Sequence, residues 1–254
     1  MKIIICDQNN VDLDGVKLNF SFVDTGETLT KLTQEDKDQE LYILDSLFPN
    51  VESFLEKGDE LFMPPDFFLG HLEKLNSLSS KSIYLYFDLE HYPSSKQMLK
   101  ELDEMNANQN GVLRIRRMSG DKGIIKKSLA DLYVLSQQFG KGESFFAKTV
   151  FDEHSGTGHF IISIRFGQDV MAHLEYSIFH SNKEKLEMEW SSLNTVLAYS
   201  SDQQALSVLT GDSQRLLLDA ESILSNSKKV SRSLEEELKI LLEQLPQIAK
   251  EDGR

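Results

Sequence analysis

The side chains best suited to proton transfer are Asp66, His71, Asp88 and His91, all within the stretch Asp59–Leu102, DELFMPPDFFLGHLEKLNSLSSKSIYLYFDLEHYPSSKQMLKEL. Imidazole titrates near neutrality and carboxylates below it, so such a set can do acid/base work. No Ser/His/Asp order, phosphate-cradling P-loop or carboxylate pair accompanies them, and both histidines also suit structural or solvent-facing positions. Arg114, Arg116 and Arg117 with Lys122, Lys126 and Lys127 form the one basic cluster of an acidic chain. It suits an anionic ligand such as a sugar phosphate, or a solvated strand face balancing nearby carboxylates. His159, His173 and His180 fall at separate positions without the convergence a metal needs, and no metal site is expected.

These residues are positioned by alternating strands and helices. Asp59–Met63 reads as a strand stopped by Pro64-Pro65, and Phe68, Leu69, Leu72 and Leu75 then recur at helical spacing. Ser82–Leu89 is rich in strand formers, and Pro93-Ser94-Ser95 opens a helix with Met98, Leu99 and Leu102 on one side. Such units imply a parallel sheet, whose ligands lie beyond the strands' carboxyl ends, here Met63–Gly70 and Asp88–Pro93. Upstream, Lys2–Cys6 is a buried first strand and Asn19–Asp24 a second. Asp24 stands where a nucleotide-binding fold places the acid that accepts ribose hydroxyls, although a strand ending in Asp before Thr-Gly is common in any α/β protein. Glu40–Phe48 spaces Leu41, Leu44, Leu47 and Phe48 as a short amphipathic helix. Where a dinucleotide domain carries G-x-G-x-x-G, this chain has DQNNVDLDG, with Gly15 as its single glycine. Asp7, Asp12 and Asp14 would repel a pyrophosphate there.

Downstream, Val112–Met118 alternates as a strand, and Lys127–Gly140 is a helix with Gly140 as its stop. From Ser144 the pattern becomes antiparallel: Phe145–Asp152, His159–Phe166, Val170–Phe179, Lys185–Trp190, Thr195–Tyr199 and Ala205–Leu209. Gly156-Thr157-Gly158 and Gly167-Gln168-Asp169 make the turns. Ser213–Asn226 and Ser233–Ala249 close the chain as helices, the latter with a Ser233/Glu236 capping box. The fold class expected is α/β plus α+β. A Rossmann-like parallel-sheet domain (residues 1–110) precedes a domain (residues 111–254) with an open antiparallel sheet, helices on one face and a C-terminal helix.

At 254 residues and 40% hydrophobic content the chain can bury a substantial core. Its net charge of −14 opposes nucleic acid and anionic membranes. The single cysteine, Cys6, excludes an intramolecular disulfide framework. No apolar run reaches transmembrane length, and that of MKIIICDQNN is too brief for a signal peptide, so a cytoplasmic location is expected.

The succession of strand, proline-containing loop and histidine ahead of a helix in DELFMPPDFFLGHLEKL resembles the Gfo/Idh/MocA family, the glucose–fructose oxidoreductase and inositol dehydrogenase relatives. These are two-domain NAD(P)-dependent sugar dehydrogenases. The resemblance implies a nucleotide side formed by Asp24, Pro64, Pro65 and His71. The family's Glu-Lys-Pro tripeptide falls on Asp88-Leu89-Glu90, so leucine stands at its working lysine. Its D-x-G-x-H-x-x-D segment falls on Ile124, Lys126, Ser128 and Asp131, so serine stands at its acid/base histidine. With the glycine loop, the lysine and the histidine all replaced, the resemblance implies a shortened, degenerate relative. Such a protein would have lost NAD(P) binding and hydride transfer, needing no cofactor and acting as a binding or regulatory pseudoenzyme. The alternative is an active NAD(P)-dependent sugar or polyol dehydrogenase with divergent motifs, holding nucleotide through Asp24, the Met63–His71 loop and Asp88. The resemblance further implies a sugar-like ligand and a homodimer formed through the open sheet face.

Overall fold

The computed structural model describes residues 2–5, 11–13, 19–22, 40–44, 59–77, 81–105, 110–120, 122–152, 154–167, 169–180, 184–201 and 216–245; for 2–5, 19–22, 40, 41 and 122 it describes backbone alone. In chain order the elements are β1 (Lys2–Ile5), β2 (Val11–Asp12), β3 (Asn19–Phe22), β4 (Glu40–Ile43), β5 (Glu60–Met63), α1 (Pro65–Gly70), α2 (Leu72–Ser77), β6 (Ser82–Leu85), α3 (Asp88–His91) and α4 (Pro93–Glu104). There follow β7 (Gly111–Ser119), a 3-10 turn (Lys122–Lys126), α5 (Lys127–Phe139), β8 (Gly142–Asp152), β9 (Thr157–Phe166), β10 (Val170–Ile178), β11 (Lys185–Ser192) and β12 (Val196–Ser200). The last are β13 (Leu218–Asp219), α6 (Ala220–Asn226), β14 (Lys228–Lys229) and α7 (Arg232–Glu243). Two compact units result: Met1–His91 with Leu217–Glu236, and Tyr92–Leu216 with Glu237–Arg254. The sequence reading divides the chain at 110/111; the compact units divide it at His91/Tyr92, with a later segment returning to the first.

The first unit holds a six-stranded sheet ordered β14-β6-β5-β4-β1-β3, parallel except for β14. From β1 the chain moves outward to β3 and then jumps back past β1 to β4. The order therefore reverses between β1 and β4, the place where open parallel sheets bind ligands. Glu40–Ile43, expected as part of a helix, is the strand β4. Its i, i+3 leucines fit helical spacing, but Tyr42, Ile43 and Leu44 are buried in succession, as a strand covered on both faces requires. Tyr86 fastens the carboxyl end of this strand by donating its hydroxyl to the Leu44 carbonyl at 2.7 Å. Leu61, Phe62, Met63 and Leu85 continue the core, and Phe67, Phe68 and Leu75 come down on it from α1 and α2.

The second unit holds a six-stranded sheet ordered β12-β11-β7-β10-β9-β8, antiparallel apart from the β7–β10 pair. Period-two alternation sets Leu113, Ile115, Phe160, Ile162, Ile164, Leu174, Tyr176, Met188 and Trp190 on the covered face. Helix α5 is buried continuously from Ser128 to Leu135. Burial of each of its large apolar side chains contributes roughly 1.5–3 kcal/mol. Gly140 ends the helix with φ +83° and ψ −167°, a conformation left essentially to glycine. The other sheet face is open, so the fold class is the expected one.

Two smaller readings change. The cap of α7 is Ser231, whose hydroxyl accepts from the Leu234 amide at 3.2 Å, so Ser233 and Glu236 make no capping box. The described residues of the tip between β8 and β9 are His154, Ser155 and Gly156, while Thr157 and Gly158 already lie in β9. Ala205–Leu209, Asp24, Cys6, Leu47, Phe48 and residues 213–215 of the expected Ser213–Asn226 helix lie outside the described residues; of the rest, Leu218–Asp219 is strand β13 and the helix begins at Ala220.

Candidate functional site

In the first unit the candidate chemistry lies at the carboxyl ends of β5 and β6. Pro64 and Pro65 follow β5, and α1 starts on them with Pro64 extended (φ −74°, ψ 157°). Neither proline has an N–H, so this turn offers few donors to an anion. His71 closes α1: its amide donates to the Phe68 carbonyl at 3.2 Å. Its ring stacks on Phe67 at 4.2 Å, with Nδ1 2.9 Å from the Phe67 carbonyl. The imidazole thus secures the end of a helix.

Beyond β6, Asp88 is 4% exposed and Leu89 is fully buried. The leucine that the resemblance sets at the lysine position is therefore a core side chain, and an ammonium there would have to be desolvated. Glu90 meets Lys228 at 3.1 Å. His91 is 1% exposed, with Nδ1 3.0 Å from the Ser222 hydroxyl. The Ser222 amide in turn donates to the carboxylate of Asp219, the cap of α6. His71 and His91 are thus held by different helices for different structural purposes.

NAD(P) is the cofactor that the family resemblance implies, and the described residues fit it poorly. Phosphate needs clustered N–H donors or cations, whereas these strand ends present two prolines, a tyrosine hydroxyl committed to a carbonyl, and buried Asp88. Asp24 and the DQNN loop lie outside the described residues.

In the second unit the predicted residues divide between the two faces of the sheet. Arg114 and Arg116 point outward, and Arg117 points inward on the Leu113–Ile115 side with no exposure at all. Its guanidinium makes a two-pronged bond to Asp131, Nε to Oδ2 and Nη2 to Oδ1, both at 2.7 Å. Tyr176 donates its hydroxyl to the same carboxylate at 2.9 Å. Glu184 accepts from Arg117 at 3.3 Å and from Lys127 at 3.0 Å, and the Tyr92 ring lies 5.9 Å from the guanidinium. Burial first, and the Asp131 charge second, push the Tyr176 phenol well above its ordinary range, against the opposing Arg117 charge. Asp131 is consequently a structural anion. Ser128, one helical turn earlier, is sealed in the same core, its hydroxyl without a hydrogen-bond partner among the described residues. A side chain so placed has no route to a substrate.

On the open face Arg114 pairs with Glu189 at 2.8 Å, and Arg116 with Glu175 at 3.1 Å and Glu187 at 3.0 Å. Lys185 above all, then Arg116, hold the Glu187 carboxyl below the usual range. His159 and His173 each meet a serine, Ser177 at 2.9 Å and Ser163 at 3.1 Å. A shallow hollow of about 250 Å³ lies over this ladder. Its arginines are engaged by carboxylates of the same face, so the solvated, charge-balanced reading of Arg114 and Arg116 describes them, while Arg117 belongs to the core. No group of three His, Cys, Asp or Glu suited to a metal occurs among the described residues.

Sequence reading missed Tyr176, Glu184 and Ser222. A signal for the first two was present: in VLRIRRM the alternation puts Leu113, Ile115 and Arg117 on one side, and an inward arginine demands a buried acid. For Ser222, distant in sequence from His91, no local signal exists.

No family model matches the chain, and no curated protein matches its sequence. Solved structures do match in fold. A "probable dehydrogenase" from Thermotoga maritima aligns at TM-score 0.59 and 13% identity, over 96% of this chain and 95% of that one. A myo-inositol dehydrogenase from Corynebacterium glutamicum aligns at TM-score 0.57 and 12% identity, over 96% and 94%. A scyllo-inositol dehydrogenase from Lactobacillus casei, solved with NAD(H) and scyllo-inositol, aligns at TM-score 0.52 and 12% identity, over 97% and 89%. The chain has the fold of these dehydrogenases.

Proposed function

We propose that this protein is a degenerate relative of the sugar and polyol dehydrogenases, retaining their fold as a binding or regulatory subunit without nucleotide-dependent hydride transfer. The observation that carries this reading is Leu89, fully buried where the family resemblance calls for the lysine near nicotinamide and substrate. Ser128 supports it from the second unit: a hydroxyl cannot replace imidazole as a base near neutral pH, and this one is buried. The ligand class is sugar-like, and the charge-paired open sheet face is the surface assigned to association with a second copy.

A thermal-shift titration tests the reading. A cofactor present at about 100 times its dissociation constant stabilises a fold by ~2.7 kcal/mol. Millimolar NAD(H) and NADP(H) are expected to leave the melting temperature unchanged, while scyllo-inositol alone raises it. A nucleotide-dependent rise that Asp24→Ala abolishes would replace this reading with that of an active dehydrogenase.

A further inference from the structure

Asn110 and Gly111 are the one Asn-Gly pair in the sequence. Asn110 is exposed, and Gly111 is the first residue of β7, opposite Val170 of β10 and Ser192 of β11. The side-chain carbonyl carbon of an asparagine lies within reach of the next residue's main-chain nitrogen, whose attack closes a five-membered ring. A side chain on that next residue obstructs the approach, and glycine has none. Packing fixes the glycine at 111. A Cβ there would lie 2.4 and 2.6 Å from Cζ2 and Cη2 of Trp190 and 2.9 Å from the Ser191 carbonyl oxygen. Trp190 has little room to yield, being 3% exposed and stacked on Phe139 at 5.9 Å. The residues that would protect Asn110 are thus excluded by the indole that fills the space. That indole is held by packing, since its Nε1–H has no hydrogen-bond partner among the described residues.

We propose that Asn110 is a self-modification site whose isoaspartate product is registered in the packing of Trp190. The Gly111 amide nitrogen loses its proton to solvent base and attacks Cγ of Asn110. The new N–Cγ bond forms, the Cγ–Nδ2 bond breaks, and the side-chain nitrogen leaves as ammonia. Water then opens the succinimide, at Cγ to give aspartate or at the main-chain carbonyl to give isoaspartate. No oxidant, reductant or second protein takes part. Both products carry a carboxylate where the chain had an amide. In isoaspartate the main chain also runs through Cγ and is one carbon longer, immediately before the glycine on which Trp190 packs. Asn76 and Asn226 serve as internal references: both are exposed, but each is followed by serine and held in a helix, α2 and α6.

The full chain is aged in mildly alkaline buffer and digested with trypsin, and the peptide Glu101–Arg114 is followed by mass spectrometry. The amide-to-acid mass change at Asn110 should appear at least about tenfold faster than at Asn76 or Asn226, because only Asn110 has an unobstructed nitrogen beside it. Trp190 is the single tryptophan, so its emission reports on this contact alone. It should shift to longer wavelength as isoaspartate accumulates. Asn110→Gln must close a larger ring and should keep both its amide and its emission; being exposed, it leaves the fold intact, as circular dichroism will verify. Asn110→Asp supplies the charge without the extra carbon, and freshly purified it should emit as the unaged chain does. An amide at 110 that lasts as long as those at 76 and 226 would overturn the site. Conversion with unshifted emission, or a shift in fresh Asn110→Asp equal to that of the aged chain, would overturn the coupling of the lengthened main chain to Trp190.

Discussion

Tyr176 donates its hydroxyl to a carboxylate that is already paired with a guanidinium, in a place no water reaches. Ionising that phenol would set a second negative charge beside Asp131 without solvent. Its pKa in the folded chain therefore lies well above the ordinary value of 10.0. The sign follows from linkage. Below about pH 10 the phenol is protonated in both states and the fold keeps the full contribution. Above it the unfolded chain releases a proton that the folded chain holds, and stability falls as pH rises. Half-buried Tyr199, whose pKa is also raised by burial, adds to the same trend. Urea midpoints should decline between pH 9 and 11, and Tyr176→Phe should flatten that decline while lowering stability at pH 8. An unaltered pH profile in Tyr176→Phe would show that the phenol ionises freely in the folded state.

Asp131 ties three elements together, since Arg117 comes from β7, Asp131 from α5 and Tyr176 from β10. Removing one member of a sealed ion pair leaves the other uncompensated, at a cost of ~3–5 kcal/mol. Asp131→Ala should lose that much by chemical denaturation, and Arg117→Met with Asp131→Leu markedly less. Equal losses would mean that lost packing, not an orphaned charge, sets the cost. The strands of this unit were legible because one face is buried and the other wet, so polarity alternates, as in His159–Phe166. The β4 strand was not, because a strand buried on both faces loses its alternation. Its leucines at 41 and 44 then mimic a helix. The same limit applied to the candidate site. That Leu89 and Ser128 stand where the resemblance expects lysine and histidine could be read from the sequence, but their burial could not. Nor could the Ser222 partner of His91, since a contact between residues so far apart leaves no periodicity.

At the scale of the whole molecule the dominant quantity is charge: 41 acidic against 27 basic side chains, net −14. The described ion pairs on the open face, Arg114–Glu189 and Arg116 with Glu175 and Glu187, neutralise part of it locally. Exposed pairs of that kind contribute only ~0–1 kcal/mol each. The excess carboxylates repel one another over distances that salt controls, with a Debye length of roughly 30 Å at 0.01 M and about 8 Å at 0.15 M. Two opposing salt effects are thus set against each other, relief of net repulsion and weakening of surface pairs. With fourteen uncompensated negative charges the first should win. Raising NaCl from 10 to 150 mM should therefore stabilise the fold by about 1 kcal/mol, or roughly 2–4 °C in melting temperature for a chain of this size. A melting temperature that falls over that range would mean the ladder across β10, β7 and β11 holds its sheet far more strongly than exposed pairs ordinarily do. The ligand titration above would then have to be run at low salt to detect what that ladder supports.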